Sequence, residues 1–328
     1  MELMEGNKLV SFEKLLGDSS AEVFTVRWNL EDNLLAAGMG DGTVRVYNPA
    51  SGSLVSNYIT RQGELQHPVT SLRFRPNLAG AKTRNVIVAI TSEGVIVHLH
   101  ASTGKLLHQI TLEENPIYSM DFSGDGRYFA LGCRDTTIRV YDEATKQMTM
   151  ELDSKGGLRQ GHGNRIFSLK WLDENTIVSG GWDRNLLLWD IRTQSAARSI
   201  YGPYVCGDAI DFRGGVICAG SYMPTDQLNF FLISEARLLR SYNLKGFDRP
   251  CMVYTVQFSR NDDKGCLVAA GVGGNEAYFY ESDTMRLLGA LDDIPRGVYS
   301  ADFAYSDNRV ALGCGDGSIR IVRISPRP

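Results

Sequence analysis

Few residues of this chain have the types and spacing that chemistry needs. Ser179, His162 and Asp183 are the types of a hydrolase triad, in which an imidazole activates a hydroxyl and a carboxylate orients the ring. Nothing resembling a nucleophile elbow surrounds Ser179, whose neighbours read Val178-Ser179-Gly180-Gly181. Gly38-Met39-Gly40-Asp41-Gly42 superficially suggests a phosphate-binding glycine loop. Such a loop must open a helix, whose first N–H groups bind the phosphates. Here a strand-like run follows, Thr43-Val44-Arg45-Val46-Tyr47, so the glycines read as turn residues. His98 and His100 share one face of a strand, with His108 near in sequence. A metal site needs three or four convergent ligands, and no acidic or cysteine partner has an evident position. The expectation is solvent-facing strand histidines. Asp262-Asp263 and Asp292-Asp293 fall in loops and read as solvated turn residues. The expected catalytic residues, metal ligands and cofactors are therefore none.

The elements that must position any site come next, and composition bounds them. The chain has 328 residues, 43% of them hydrophobic and 22% charged, which fits a folded protein rather than a disordered one. A single layered core stops growing near ~250–300 residues. The chain is therefore two ordinary domains or one architecture extended by repetition. A net charge of −4, from 34 basic and 38 acidic residues, excludes a strongly basic nucleic-acid binder. No direct nucleic-acid partner is expected. The first residues, MELMEGNKLV, lack the basic and apolar regions of a secretory signal. No apolar run approaches the ~18 residues of a membrane span. No two of the six cysteines have zinc or redox-motif spacing, and a reducing compartment, cytoplasmic or nuclear, is expected.

Repetition decides the fold class. Strand-like runs end in an aromatic anchor at Trp28, Phe74, Phe122, Trp171, Phe212, Phe258 and Phe303. The separations are 46, 48, 49, 41, 46 and 45 residues, too even for chance. Each unit continues with a small-residue strand, a turn, a third strand and a fourth. In the third unit these are Ile117 to Phe122, Tyr128 to Cys133, Thr137 to Tyr141 and Met148 to Leu152. Asp142 to Leu152 has some helical look, but it fills a loop-plus-strand slot of the repeat. Four strands per unit and seven units describe an all-β, seven-bladed β-propeller of four-stranded antiparallel blades. The expectation is one domain over residues 1–328. Lys8-Leu9-Val10 matches the outer-strand starts Lys105-Leu106-Leu107, Arg237-Leu238-Leu239 and Arg286-Leu287-Leu288, and the last unit lacks an outer strand. Residues ~8–16 are therefore expected to close the ring as the outer strand of the last blade, covering an open edge.

The fourth unit resembles the WD-repeat family: Gly161-His162, then Val178-Ser179-Gly180-Gly181-Trp182-Asp183, then Leu188-Trp189-Asp190. The spacing from Asp183 to Trp189 recurs from Asp41 to Tyr47 and from Asp135 to Tyr141, while blade two has Glu93 and blade six Gly274 at the Asp position. The resemblance implies that His162, Ser179, Asp183 and Trp189 form the family's hydrogen-bonded structural tetrad. That role absorbs the triad-like residues of blade four.

Alignment of the units exposes another pattern. The residue four before each anchor is Phe24, Thr70, Tyr118, Phe167, Asp208, Tyr254 and Tyr299, aromatic in five of seven. This position falls near the start of the innermost strand, at one mouth of the central channel. In the resembling family that mouth is the usual site of peptide binding. Aromatic rings there stack on cations, grip apolar side chains or fill the wedge between blades. Trp182 and Arg134 precede the turn Asp and should reach the same face, where Arg165, Arg184, Arg249 and Arg296 lie in neighbouring loops and Asp208 opposite in chain order. Blade five carries a longer turn, Ser221-Tyr222-Met223-Pro224-Thr225, expected to project beside the mouth. Blade two's longer connection, Arg75 to Arg84, reads as a solvated hairpin on the opposite face.

The candidate partner surface is thus Phe24, Tyr118, Phe167, Tyr254, Tyr299, Trp182, Arg134 and Arg165. The expected function is a non-enzymatic interaction scaffold or adaptor presenting rigid surfaces to protein or peptide partners, acidic or phosphorylated segments among them. A second reading is a histone-tail or other peptide reader in a chromatin complex. A propeller enzyme would need convergent titratable groups in the channel, and the inner-strand positions look mostly apolar or aromatic.

Overall fold

The computed structural model describes residues 10–60, 67–76, 84–244, 249–260 and 265–325. Among them every regular element is a strand, and the 28 strands form seven four-stranded antiparallel sheets. The sheets are the blades of a seven-bladed propeller. The second strand of each blade is largely apolar on both faces because each blade is covered by its two neighbours. Leu35–Met39 and Val86–Thr91 are buried at every position, the pattern of a strand packed on both sides. Outer strands are half-exposed, as in Lys105–Thr111.

Sequential blades are hairpin ladders, so the repeat spacing in the sequence becomes angular spacing around the channel. The last blade is the exception. Its outer strand is Val10–Leu16, which pairs antiparallel with Ile319–Ile324, with Val10 opposite Ile324 and Leu16 opposite Ile319. The ring is closed by the N-terminal strand, as the match to other outer strands suggested; residues 8 and 9 lie outside the described residues. Lys14 Nζ adds a tether, donating to the Pro49 and Ala50 carbonyls of the next blade at 3.2 and 2.5 Å.

Turns at the mouth follow one plan. Asp41 Oδ1 accepts the Thr43 N–H and hydroxyl at 2.9 and 2.6 Å, with Gly42 at φ +79° between them. Asp316, Gly317 (φ +80°) and Ser318 repeat this arrangement. The glycine loop of blade one is thus a strand-to-strand turn. Asp142 to Leu152 comprises the end of one strand, a turn and the strand Met148–Leu152.

One expectation about the histidines is corrected. His98 is buried, at 1% exposure, because its strand Val95–His100 lies third in the blade and is covered on both faces. Its Nε2 is 3.1 Å from Glu143 Oε2, which comes from blade three and also pairs with Arg75 and Lys146. The acidic partner missing from the sequence reading is 45 residues away. His100 bonds Thr103 at 3.0 Å. Asp292-Asp293 is an exposed loop, whereas Asp262-Asp263 and most of the Arg75–Arg84 connection lie outside the described residues.

Candidate functional site: the channel mouth

The mouth is built by a recurring irregularity. In six blades the pairing of the inner strand with the next slips by one residue near its start: at Phe24, Thr70, Tyr118, Phe167, Tyr254 and Tyr299. A bulge leaves one residue out of the ladder and re-aims its side chain. The residues four before the anchors are these bulge residues. Blade five has no such slip: its inner strand, Ile210–Arg213, starts later, and Asp208 precedes it. All seven aligned residues line one cavity of about 240 Å³. Each is half-buried, neither sealed between blades nor fully exposed.

The rings stack on one another along the rim. Phe24 and Tyr299 lie 5.3 Å apart with planes 11° from parallel; Tyr118 and Phe167 are 4.7 Å apart. Trp182 does not line the cavity. It backs Phe167 at 4.9 Å, stacks on Tyr204 at 6.1 Å and donates its indole N–H to Cys206 Sγ at 3.1 Å. It is the one tryptophan of the four that is not buried. Arg165 lies 5.0 Å from the Trp182 ring, while Arg134 stands exposed on the blade-three turn. Neither arginine lines the cavity. Arg184 lies over Tyr201 and Arg296 lies 3.6 Å from Glu22. In the longer blade-five turn, Tyr222 folds inward, edge-on to Tyr254 at 5.7 Å, instead of projecting; Pro224 and Thr225 remain exposed.

Thr25 lines the cavity at only 3% exposure, and its hydroxyl, without a partner among the described residues, is itself buried. Asp208 uses only Oδ2, which takes both Arg27 and Arg73, the latter at 3.0 Å. Its Oδ1 carries no hydrogen bond among the described residues. Burial opposes ionisation of Asp208, but the Arg73 and Arg27 guanidiniums outweigh it and hold the carboxyl well below the usual range. Cys206 beside it is no nucleophile: burial pushes its thiol up to about 12.

Beneath the mouth lies a charged belt, which corrects the expectation of an apolar or aromatic channel. The residue just before each anchor is Arg27, Arg73, Asp121, Lys170, Asp211, Gln257 or Asp302. The four acceptors each take the main-chain N–H of the anchor in the following blade. Asp121 takes Trp171 at 3.1 Å, Asp211 takes Phe258 at 2.7 Å, Gln257 takes Phe303 at 2.6 Å and Asp302 takes Trp28 at 2.7 Å. The cations supply the counter-charge: Arg73 lies 3.3 Å from Asp121 and Lys170 lies 3.6 Å from Asp211. Asp302, fully buried, also takes Arg260 at 2.8 Å and Gln257 at 2.8 Å. Burial opposes its ionisation too, and Arg260 and Arg27 hold it low. Every belt carboxylate is occupied by cations or N–H groups, the bonding of an inter-blade clamp. A signal was present in the sequence. Position by position the belt is polar in seven of seven units, but the residue type changes while only the role repeats.

Blade four holds a second polar chain. His162 Nδ1 lies 2.8 Å from Asp183 Oδ2 and Nε2 lies 2.7 Å from Ser179 Oγ, which accepts the Trp189 indole N–H at 2.8 Å. Burial opposes ionisation of Asp183, and its bond to His162 more than compensates, keeping its carboxyl low. Ser179 and Trp189 are wholly buried. Among the described residues no group of three or more His, Cys, Asp or Glu could hold a metal ion. No helix there is long and apolar enough to cross a membrane.

Comparison with known proteins agrees with the blades. The family model described as "WD domain, G-beta repeat" matches residues 104–142 and 155–190. The model for the "Anaphase-promoting complex subunit 4 WD40 domain" matches residues 5–77. Anaphase-promoting complex subunit cdc20 of Dictyostelium discoideum is 30% identical over 149 residues, covering 44% of this chain and 28% of that protein. WD repeat-containing protein 91 of Gallus gallus is 24% identical over 306 residues, covering 78% of this chain and 38% of that protein. A ribosome biogenesis protein WDR12 homolog of Drosophila persimilis is 30% identical over 96 residues, covering 26% of this chain and 23% of that protein. The chain spans less than two-fifths of the length of each of these relatives. With WD-repeat models matching residues 5–77, 104–142 and 155–190, and seven four-stranded blades closed in a ring, the chain belongs to the WD-repeat family of β-propellers.

Proposed function

We propose that this chain is a non-catalytic interaction module, one propeller domain over residues 1–328, whose channel mouth captures a segment of a partner protein. One observation carries the reading: seven residues, one per blade, converge half-exposed on a single cavity. The rings there are held by stacking, while Asp208 Oδ1 is left for a guest. The rigid belt below fixes the rings before any partner arrives, which lowers the ordering cost of binding. Acidic or phosphorylated residues of the segment would face Arg165 and Arg184. Two of the relatives' names, a subunit of the anaphase-promoting complex and a ribosome biogenesis protein, support work within a multiprotein assembly. A cytoplasmic or nuclear setting agrees with that role.

The test compares partners recovered with wild type and with a Tyr118→Ala/Tyr299→Ala double variant. A photo-crosslinking residue at position 299 of the otherwise wild-type chain gives a second readout. Loss of wild-type partners at a nearly unchanged melting temperature, and their crosslinking at 299, is the expected result. An unchanged partner set with no crosslink would move the binding surface elsewhere.

A further inference from the structure

The mouth is uneven in both shape and charge. Its rings form two arcs. One runs Tyr118, Phe167, Trp182, Tyr204, with centroids 4.7, 4.9 and 6.1 Å apart. The other runs Tyr222, Tyr254, Tyr299, Phe24, at 5.7, 5.4 and 5.3 Å. At the cavity wall the breaks between the arcs fall at Thr70 of blade two and Asp208 of blade five. In a seven-membered ring these blades lie nearly opposite, so the breaks mark a groove across the cavity.

The loop charges lean along the same axis, with Arg134 of blade three and Asp226 of blade five as exposed exceptions of opposite sign. Glu113 and Glu114, in the loop entering blade three, and Asp292 and Asp293, entering blade seven, are exposed, with no ion pair among the described residues. They flank the side of blades one and two, where Glu93 sits beside the blade-two break. Arg165 and Arg184 of blade four and Arg249, entering blade six, flank blade five and likewise have no ion pair among the described residues. Interfaces place opposite potentials against each other, and unpaired loop charges are the ones free to be matched.

We propose that the groove takes an extended, bipolar segment of a partner protein. Basic residues lie toward blade two and acidic residues toward blade five, with one side chain between them in the cavity. The inference rests on the mouth being the partner site. The volume of about 240 Å³ is below the ~300–1,000 Å³ of small-molecule pockets and suits a single side chain. That side chain has an apolar body, to meet the rings, and a donor at its tip, to meet Asp208 Oδ1; a tyrosine has both. The charges below are already balanced against each other, so the tip is neutral.

Three labelled nonapeptides with a central tyrosine test this by fluorescence anisotropy: Lys₃-Gly-Tyr-Gly-Glu₃, Lys₃-Gly-Tyr-Gly-Lys₃ and Glu₃-Gly-Tyr-Gly-Glu₃. At low salt the bipolar peptide should bind at least tenfold more tightly than either single-sign peptide, and added salt should shrink the gap. The Arg165→Glu/Arg249→Glu variant should shift the preference about tenfold toward the all-lysine peptide. Glu113→Lys/Glu114→Lys should shift it toward the all-glutamate peptide. Equal binding of the bipolar and all-glutamate peptides, or of the bipolar and all-lysine peptides, overturns the bipolar assignment and leaves the mouth reading standing. Peptide affinities unmoved by Tyr118→Ala/Tyr299→Ala place the peptides off the mouth and overturn both. Failure of all three peptides to bind overturns this assignment alone, since recovery of natural partners is measured separately.

Discussion

Two layers of the same inner strands, three residues apart, do opposite things. At the mouth, Phe24, Tyr118, Phe167, Tyr254 and Tyr299 are half-exposed rings held only by stacking. In the belt below, Arg27, Arg73, Asp121 and Asp302 are locked into other blades by charge and main-chain hydrogen bonds. The lower layer holds the blades together. The upper layer borrows that rigidity and keeps its surfaces uncommitted. A strand can carry both because a bulge at the upper residue turns it out of the ladder.

The contrast breaks most sharply if the belt loses a member. Asp302→Ala would strand Arg260 and the Trp28 N–H in a dry site, and removal of one partner from a buried pair costs ~3–5 kcal/mol. Chemical denaturation should show a loss of that size; a loss under ~1 kcal/mol would mean the belt is no clamp.

Acid should attack the belt by the same route. Asp208 and Asp302 have folded-state values below the ordinary carboxylate value, so their stabilisation is complete above about pH 4 and drains as pH falls from there through their folded values. His98 adds a separate window. Burial lowers its value against the pull of Glu143, so the fold favours the neutral ring. That contribution is present above about pH 6.5 and is lost as pH falls from there through the lowered value. Denaturation midpoints measured from pH 8 to pH 3 should therefore fall in two stages. His98→Gln should remove the first stage alone.

Blade four offers an intermediate case, a buried chain confined to one blade. Trp189→Phe leaves Ser179 Oγ short of a donor and should cost ~1–3 kcal/mol. Unaltered denaturation would separate the bonds seen here from any role in stability. The smallest effect belongs to the mouth. Tyr118→Ala removes one stacked, half-exposed ring, and such pairs contribute ~0.5–1.5 kcal/mol. A loss as large as that of Asp302→Ala would make the upper layer structural as well, and the two layers would cease to differ.

Legibility in the sequence followed repetition of residue type. Anchors recur as Trp or Phe, so the seven units and their strands were readable, and so was the aromatic position four residues earlier. The bulge that aims those rings was not, because it depends on the register of two strands rather than on the residue itself. The belt escaped notice because complementarity, not identity, repeats there: Arg73 is answered by Asp121 and Lys170 by Asp211, one blade on. His98 was misplaced because its partner, Glu143, comes from another blade, and strand alternation says nothing about what covers a face.

The closing strand has a consequence for how the protein is made. Val10–Leu16 leaves the ribosome before every other strand of the propeller, and its partner Ile319–Ile324 follows about 300 residues later. At ~5–20 residues per second, the strand waits roughly 15–60 s with its edge unpaired. Phe12 and Leu15 remain exposed even in the finished ring, so during this interval the segment is an adhesive end on a nascent chain. Six blades form by local hairpins in the order of synthesis, and the seventh cannot. Chaperone demand during translation should therefore fall on this one short strand, and two chains emerging side by side on a polysome have the time to exchange it.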